Sequence, residues 1–296
     1  MIFKEKYDAW LETINAELER RVPPEDTPEK SVCEAMRYSL LAGGKRLRPV
    51  LALAVNELFG GVEREVLPFA CAVEMIHTYS LIHDDLPAMD NDDYRRGRLT
   101  NHKVYGEARA ILAGDALLNR AFEVMTEAAL SEGQNVYTKV KAMDIIVTAS
   151  GTSGMIGGQI VDLESEGRQI PVELLQYMHR CKTGALISAP ILAAAAINNA
   201  DPEEYDCLKT YSEKIGLAFQ IKDDILDIEG DSSQMGKKTG SDEANHKSTY
   251  ITLYGADKSK AMLKALIEEA VKCLERFGNK ADFLKELALY IMKREN

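Results

Sequence analysis

The sequence lacks the features that mark several large classes of protein. Its five cysteines are scattered and show no CxxC spacing, which is typical of reduced thiols in a cytoplasm and argues against a structural zinc site. No GxxxxGK[ST] motif occurs and no GxGxxG follows a strand, so neither common route to nucleotide binding is supported. The longest apolar run, residues 184–197, falls short of the roughly 20 residues that span a bilayer and predicts a core helix.

Basic residues are fewer than acidic ones. The chain has 36 Lys and Arg residues against 47 Asp and Glu residues, a net charge of -11. This balance argues against nucleic acid or an anionic membrane surface as a general partner. The first residues, MIFKEKYDAWLETIN, mix charged and apolar side chains, so we expect no signal peptide and no membrane insertion. We expect a cytoplasmic globular protein.

Strand patterns are missing as well, because no stretch of useful length alternates with a period of two. Apolar residues recur instead at helical spacing, and the connectors are rich in Gly, Pro, Asn and Asp. We therefore predict an all-α protein with a single helical domain over residues 1–296. After a first helix at the N-terminus, the predicted helices cover residues 30–42, 48–59, 65–83, 105–131, 136–165, 172–181, 184–197, 203–229 and 257–295. The polar interruption at 229–248 is long enough to indicate a functional or disordered loop.

Aspartates are concentrated in one short stretch, LIHDDLPAMDNDDYRRGR at residues 81–98. Five of them fall within the ten residues from Asp84 to Asp93. Crowded carboxylates repel one another and raise one another's pKa values unless a cation neutralises them. The stretch is therefore either a solvated acidic turn or part of a cation site.

A second acidic segment resembles the first. Aligning Asp223 with Asp84 pairs EKIGLAFQIKDDILDIEGD with EMIHTYSLIHDDLPAMDND, so an apolar helix ends in two adjacent aspartates in each copy. Two such helices could face each other across one cavity. In the second copy Gln220, Asp224 and Asp227 are spaced to lie on or near one helical face. Carboxylates without a neighbouring His or Cys suit a hard cation such as Mg²⁺, and the repetition favours this interpretation over a solvated helix end.

Basic residues form small clusters along the same chain. Arg can bind phosphate through two parallel hydrogen bonds, whereas Lys acts as a point charge. A single basic triplet is usually only surface, but repeated clusters beside Mg²⁺-type acids favour a phosphorylated ligand. The clusters are Lys45, Arg46 and Arg48; Arg95, Arg96 and Arg98; Lys182 with Thr183; and Lys237, Lys238 and Lys247.

Together these motifs resemble those of the short-chain trans-isoprenyl diphosphate synthase family, most closely its bacterial members that make farnesyl diphosphate. The two aspartate-rich motifs of the family match as DDxxxxD at Asp84, Asp85 and Asp90, and as DDxxD at Asp223, Asp224 and Asp227. GGKRLRP, KTG, GGQ..D and GKxxGxD also follow in the family order, over most of the chain. Tyr94 and Leu99 depart from the usual leucine and proline, which questions only the shape of that turn.

The resemblance implies an isoprenoid synthase-type helical bundle around a central cavity. It implies that the enzyme condenses isopentenyl diphosphate with dimethylallyl and geranyl diphosphate, and that it forms a homodimer. Mg²⁺ held by Asp84, Asp90 and Asp223, with Asp85, Asp224 and Asp227 completing or supporting the clusters, would bind the allylic diphosphate. The further residues implied for the allylic substrate are Arg95, Lys182, Thr183, Gln220, Lys237 and Lys247. Those implied for isopentenyl diphosphate are Gly44, Lys45, Arg48, His77 and Arg96.

Product length depends, by the same resemblance, on Tyr79 and Ser80. They precede Asp84 by five and four residues, so about one helical turn, or 6–8 Å, separates them from the metal ligands. Tyr79 would be the floor of the cavity and fifteen carbons the main product length. The alternative is that Tyr79 merely packs against a neighbouring helix.

Other interpretations stay open. Within the family, the chain could be a geranylgeranyl diphosphate synthase. The HDD at residues 83–85, with His77 and His102, also resembles an HD-type metal phosphohydrolase, although the second acidic cluster has no matching histidine. A regulatory subunit without activity is disfavoured because both clusters are complete. For Gln159 and Asp162 a substrate-side role and a buried hydrogen-bond role are equally supported.

Overall fold

The structure is a computed structural model that describes residues 3–24, 27–131, 136–168, 170–229 and 249–294. The described chain is almost entirely helical, which confirms the predicted all-α class. Its α-helices are α1 Phe3–Arg21, α2 Lys30–Leu40, α3 Leu47–Leu58, α4 Glu63–Asp84, α5 Asn101–Tyr105, α6 Glu107–Leu130, α7 Val136–Ser150, α8 Met155–Ser165, α9 Val172–His179, α10 Ala185–Ile197, α11 Pro202–Glu229, α12 Tyr250–Tyr254, α13 Ala256–Cys273 and α14 Asp282–Lys293. A π-helix, Arg180–Gly184, joins α9 to α10, a 3₁₀ segment, Leu274–Ala281, joins α13 to α14, and β1 Tyr94–Arg95 pairs antiparallel with β2 Arg98–Leu99.

Helices α4 and α10 form the centre of the bundle. α4 packs against α3 and α6, and α10 packs against α3, α4, α7 and α11. Both helices are apolar around their whole circumference, which is the pattern of a helix buried on all sides. The buried run of α4 ends at Ile82, so the helix carries Asp84 and Asp85 to the edge of the core.

The structure divides several predicted helices at glycines and adds short elements that the periodicity did not predict. Gly106, at a φ of 83°, separates the short helix α5, which was not predicted, from α6, which begins two residues after the predicted start at 105. A turn beginning at Gly151 separates α7 from α8, and Gly278, at a φ of 58°, interrupts the predicted helix 257–295. In each case the apolar period continues across the break, so the pattern alone does not reveal it. Nearly all of the predicted loop at 229–248 lies outside the described residues.

The helical run Val172–Ile197 is continuous, whereas the sequence predicted two helices. The π-helix bridges them, so that residues 180–184 stay helical with a wider turn. Among the described residues this run is the one that could cross a membrane by length and composition alone. Its second half, α10, packs in the centre of the bundle and is buried from Ala193 to Ala196, as expected for a core helix.

Arg46, from the first basic cluster, is part of the framework of the bundle. It is 2% exposed and contacts Glu74, on α4, with 2.8 Å between Nη1 and Oε1. Its Nη2 donates to the carbonyl oxygen of Leu40 and its Nε to the side-chain oxygen of Asn15. The guanidinium is therefore engaged by protein groups, and the neighbouring basic residues remain for a ligand.

Arg46→Met is expected to lower the free energy of unfolding by about 3–5 kcal/mol, because it leaves the Glu74 carboxylate buried without its cation. Denaturant unfolding followed by circular dichroism measures this loss. The double variant Arg46→Met/Glu74→Leu removes the uncompensated charge and should recover part of it. Arg98→Met is the matched control, since Arg98 stacks at the surface on Tyr38. A loss no larger than that of the control would contradict a structural role for the pair.

Candidate active site

The first acidic cluster begins at the C-terminal end of α4. The backbone N–H of Asp90 donates to the carbonyl oxygen of Asp84 at 2.9 Å, so the loop turns back and brings the two residues together. Gln159, on α8, donates its Nε2 to Asp84 Oδ1 at 2.5 Å. Burial raises the pKa of Asp84, and the charge of Asp90 raises it further, while Lys182 opposes both. This pair of carboxylates is therefore crowded and would be relieved by a cation.

The second aspartate of the first motif, Asp85, has a different environment. Its carboxylate is 3% exposed and accepts from Arg95 through both oxygens, with Nε at 2.7 Å from Oδ1 and 2.9 Å from Oδ2. Arg95 lies on β1 and also approaches Asp92 at 3.6 Å. The short hairpin thus holds Arg95 beside the acidic cluster, and Asp85 fixes the guanidinium.

The second acidic cluster lies on α11 and again divides into two environments. Asp224 is 3% exposed and accepts from Gln220 Nε2 at 3.0 Å and from the backbone N–H of Tyr250 at 2.8 Å. Gln220 in turn accepts from the Thr183 hydroxyl at 3.1 Å. Asp224 therefore orients a short chain of hydrogen bonds that reaches the π-helix. Asp227 lies one turn further along α11 and is half-buried.

Asp223 faces a cation that the sequence analysis did not identify. Arg294, directly after α14, contacts the Asp223 carboxylate, and its guanidinium lies 3.9 Å from the centre of the Phe219 ring. Burial raises the pKa of Asp223, and Arg294, Lys45 and Arg48 act in the opposite direction. The basic residue near the C-terminus was visible in the sequence, but only the packing of α14 against α11 brings it to this carboxylate.

Lys182 occupies the π-helix between α9 and α10. Its Nζ contacts Asp162 Oδ2, on α8, at 2.5 Å. Gly158 makes this approach possible, because a Cβ at that position would lie 2.1 Å from the backbone nitrogen of Lys182. A substrate-side role and a hydrogen-bond role were both open for Gln159 and Asp162. In the structure each makes a hydrogen bond that orients a site residue: Gln159 orients Asp84, and Asp162 orients Lys182.

A group of cationic side chains lies close to the N-terminal end of α3. Burial lowers the pKa of Arg48 and of Arg96, and the Nε of Arg48 is buried without a hydrogen-bond partner. Burial lowers the pKa of His77 well below its usual value, and Arg48 and Arg96 lower it further, so the imidazole is neutral. Lys45 also has its pKa lowered by burial and by Arg294. Concentrated positive charge of this kind is a prepared anion site.

Gly44 leaves room for the guanidinium of Arg96. It has a φ of 121°, and a Cβ there would lie 2.7 Å from the guanidinium carbon of Arg96. Arg96 donates to the carbonyl oxygen of Gly43 and itself has a positive φ of 53°. The loop before α3 and the hairpin therefore lock together through glycine and arginine.

A cavity of about 490 Å³ runs beside α4 from the acidic cluster. Arg48, Asp84 and Lys182 line one part of it, and Tyr79 and Ser80 line another. Further apolar lining residues are Met89, Leu118, Met155, Ile156, Ile160, Leu163 and Leu186. A second cavity of about 140 Å³ is lined by residues that include Asp162, Gln220 and Asp224. Lys182 lines both cavities and so stands between the two acidic clusters.

The structure describes every site residue predicted from the sequence except Lys237 and Lys247, which lie outside the described residues. Of the alternative histidine ligands, His77 and His83 line the cavity together with Asp84, whereas His102 is not among its lining residues. His102 is buried, with its Nδ1 3.2 Å from the Thr100 hydroxyl. Within the described ranges, no group of three or more His, Cys, Asp or Glu side chains is arranged to hold a metal ion by itself.

Anion-binding cations, two partial acidic clusters and an apolar cavity define a helical site for a ligand with a phosphorylated end and an apolar tail.

Residues 29–288 match the polyprenyl synthetase family. The chain is 44% identical to farnesyl diphosphate synthase of Bacillus subtilis, over 96% of this chain and 95% of that one. It is 46% identical to geranylgeranyl diphosphate synthase of Cyanophora paradoxa, over 94% and 95%. A solved FPP/GFPP synthase from Zymomonas mobilis superposes with a TM-score of 0.88 at 36% identity, over 98% of each chain. The chain belongs to the polyprenyl synthetase family.

Proposed function

We propose that this protein is a farnesyl diphosphate synthase, which condenses isopentenyl diphosphate first with dimethylallyl diphosphate and then with geranyl diphosphate. The observation that carries the proposal is the junction at Lys182. There an apolar cavity large enough for an isoprenoid tail meets two acidic clusters and a separate group of buried cations. Relatives named farnesyl diphosphate synthase in two bacteria, at 44% and 46% identity, support the same activity.

The aspartates fit Mg²⁺ as the cofactor. Mg²⁺ usually takes one or two carboxylates and completes its coordination with water and substrate phosphates. Asp84 with Asp90 on one side, and Asp223 on the other, offer such incomplete oxygen-donor sets. Burial, and then the charge of Asp90, raise the pKa of Asp84, and a divalent cation would offset both effects. We propose these three as the principal ligands, with Asp85, Asp224 and Asp227 in support.

Asp223 gives the metal proposal a specific requirement. Its carboxylate is in contact with Arg294, so a metal ion that binds there has to displace or share that guanidinium. Arg294 also lowers the pKa of Lys45, so it lies near the proposed anion site. A released Arg294 guanidinium is then placed to face the diphosphate of isopentenyl diphosphate.

The protein groups then act on two diphosphates held apart. The allylic C–O bond breaks and leaves a carbocation and a diphosphate, whose negative charge Lys182 and Arg95 stabilise. Asp162 and Asp85 hold those two cations in position before the substrate arrives. When bound, Mg²⁺ supplies further electrostatic stabilisation of the leaving diphosphate.

The second substrate is bound through Lys45, Arg48, His77 and Arg96, so that its double bond attacks the carbocation. A carbon–carbon bond forms, a proton is lost, and the product is longer by five carbons. The apolar walls of the cavity keep water from the carbocation. Thr183 and Gln220, linked by their hydrogen bond, orient the allylic partner, and Lys237 and Lys247 are proposed to assist it.

We propose further that residues 1–296 form one domain, that the protein is cytoplasmic, and that it is a homodimer. Exposed apolar side chains on α6 and α7 support self-association: Leu112 is 57% exposed and Val140 50%. Large exposed apolar patches mark protein contacts.

The test is to supply labelled isopentenyl diphosphate with dimethylallyl, geranyl or farnesyl diphosphate in Mg²⁺ and to chromatograph the dephosphorylated products. Fifteen-carbon product from the first two primers, and little extension of farnesyl diphosphate, are expected. Twenty-carbon product would favour the second candidate, a geranylgeranyl diphosphate synthase, as the Cyanophora paradoxa relative is named. Phosphate release without chain elongation would contradict both.

Tyr79→Ala is expected to shift the products toward twenty carbons or longer, and Ser80→Phe toward ten. Tyr79 lines the cavity, is 5% exposed, and has its hydroxyl buried without a hydrogen-bond partner, so removing the ring lengthens the space. Ser80 lines the same cavity, and an aromatic ring there shortens it. Chromatography of both variants measures the outcome. If both stop at the wild-type length, these residues do not set it.

A further inference from the structure

The side chain that packs on Tyr79 is His83, one turn further along α4. The two ring centres are 5.7 Å apart and the planes meet at 81°, an edge-to-face contact. His83 also lines the 490 Å³ cavity, between Tyr79 and the acidic end of the helix. The imidazole is therefore in a position to fix the ring of Tyr79, which has no hydrogen bond of its own to do so.

His83 is itself held by α6. Its Nε2 lies 3.0 Å from the carbonyl oxygen of Ile111, which requires the Nε2–H tautomer as the donor. The imidazole fills a notch left by Gly114: a Cβ on this glycine would lie 2.1 Å from His83 Nε2 and 2.5 Å from Cδ2. Only glycine, which has no Cβ, leaves room in the helix for a ring at that distance. On the same side, Asp115 Oδ1 lies 4.0 Å from Nε2.

We infer that His83 and Gly114 together determine product length, with His83 as a positioning residue for Tyr79 and Gly114 as the notch that receives it. The inference rests on the proposed chain-elongating function. It assigns the shape of the cavity to a contact between α4 and α6, in addition to the two residues on α4 that the sequence indicates. Removing the imidazole frees the Tyr79 ring to move and lengthens the cavity. Filling the notch drives the imidazole into the cavity and shortens it.

Two single variants should therefore change the product in opposite directions. His83→Ala is expected to raise the ratio of twenty-carbon to fifteen-carbon product by about tenfold or more. Gly114→Ala is expected to raise the ratio of ten-carbon to fifteen-carbon product by a similar factor. Alanine has a higher helix propensity than glycine, so Gly114→Ala does not weaken α6 through its helix propensity. In the double variant the added methyl group meets no ring, so the ten-carbon product should disappear.

Gly151→Ala is the matched control, because its added Cβ meets only the carbonyl oxygens of Val147, at 3.4 Å, and Thr148, at 3.6 Å, which are ordinary van der Waals distances. Products are chromatographed after labelling with isopentenyl diphosphate and dimethylallyl diphosphate. Unchanged product ratios in both single variants, or a longer product from Gly114→Ala, would overturn the inference. If the wild-type protein incorporates no isopentenyl diphosphate, the proposed function has failed instead.

A second measurement covers variants that turn over too slowly to analyse. Calorimetric binding of geranyl, farnesyl and geranylgeranyl diphosphate in Mg²⁺ needs no catalysis. His83→Ala should shift the tightest binding toward the twenty-carbon ligand, and Gly114→Ala toward the ten-carbon one. The same order of affinities in both variants as in wild type would contradict the inference.

Discussion

Asp84→Ala and Asp223→Ala are each expected to lower turnover by about 100-fold or more, while helical circular dichroism stays near that of the wild type. The two residues lie 139 positions apart in the sequence, but Asp84 is close to Lys182 and Asp223 is close to Arg48. Lys182 and Arg48 line the same cavity. If one bound diphosphate is held from both sides, losing either carboxylate removes metal-assisted stabilisation of the leaving group. Removing Mg²⁺ with EDTA should have the same effect as either substitution.

Metal binding gives a readout that does not depend on turnover. Magnesium with inorganic diphosphate should raise the melting temperature of the wild-type protein, because a ligand that binds only the folded state stabilises it. Either variant should lose most of that increase. Asp206→Ala, at an exposed position on the same helix as Asp223, is the control and should keep it. Full activity in EDTA, or in either variant, would refute the two-sided clamp.

Arg96→Ala is expected to raise the KM for isopentenyl diphosphate by about 10–100-fold and to leave the KM of the allylic substrate nearly unchanged. A hydrogen bond to a charged group contributes about 1.5–3 kcal/mol, and Arg96 lies in the cation group, against Gly44. Arg48→Ala should act in the same direction. Its guanidinium has a buried Nε without a partner, which a diphosphate oxygen would satisfy.

Lys182→Ala supplies the opposite arm of that experiment. Lys182 is held by Asp162 between the two acidic clusters, so its loss should affect mainly the allylic substrate. Lys237, from the GKxxGxD motif, is expected to behave like Lys182. Initial rates measured with each substrate varied in turn separate the two effects. A rise in the allylic KM from Arg96→Ala, with that of isopentenyl diphosphate unchanged, would show that the two pockets are assigned the wrong way round.

Much of the site could be predicted from local sequence because its motifs are local. The pairs at Asp84 and Asp223 end apolar helices, and a buried helix that runs out of apolar residues must place its next side chains at the edge of the core. The boundaries failed where a glycine interrupted an apolar period, as at Gly278. The π-helix around Lys182 also escaped prediction, since its wider turn depends on the approach of α8 at Gly158.

The amino-acid sequence by itself determined the all-α class, the positions of the acidic and basic clusters along the helices, and the family resemblance. Tertiary structure decided which partner each charge takes. Asp85 pairs with Arg95, and Asp223 meets an arginine 71 positions away. Helical periodicity determines which residues share a face, but contacts between helices depend on how closely their backbones approach. A single missing Cβ, as at Gly114 against His83, changes that distance without leaving any periodic signal in the sequence.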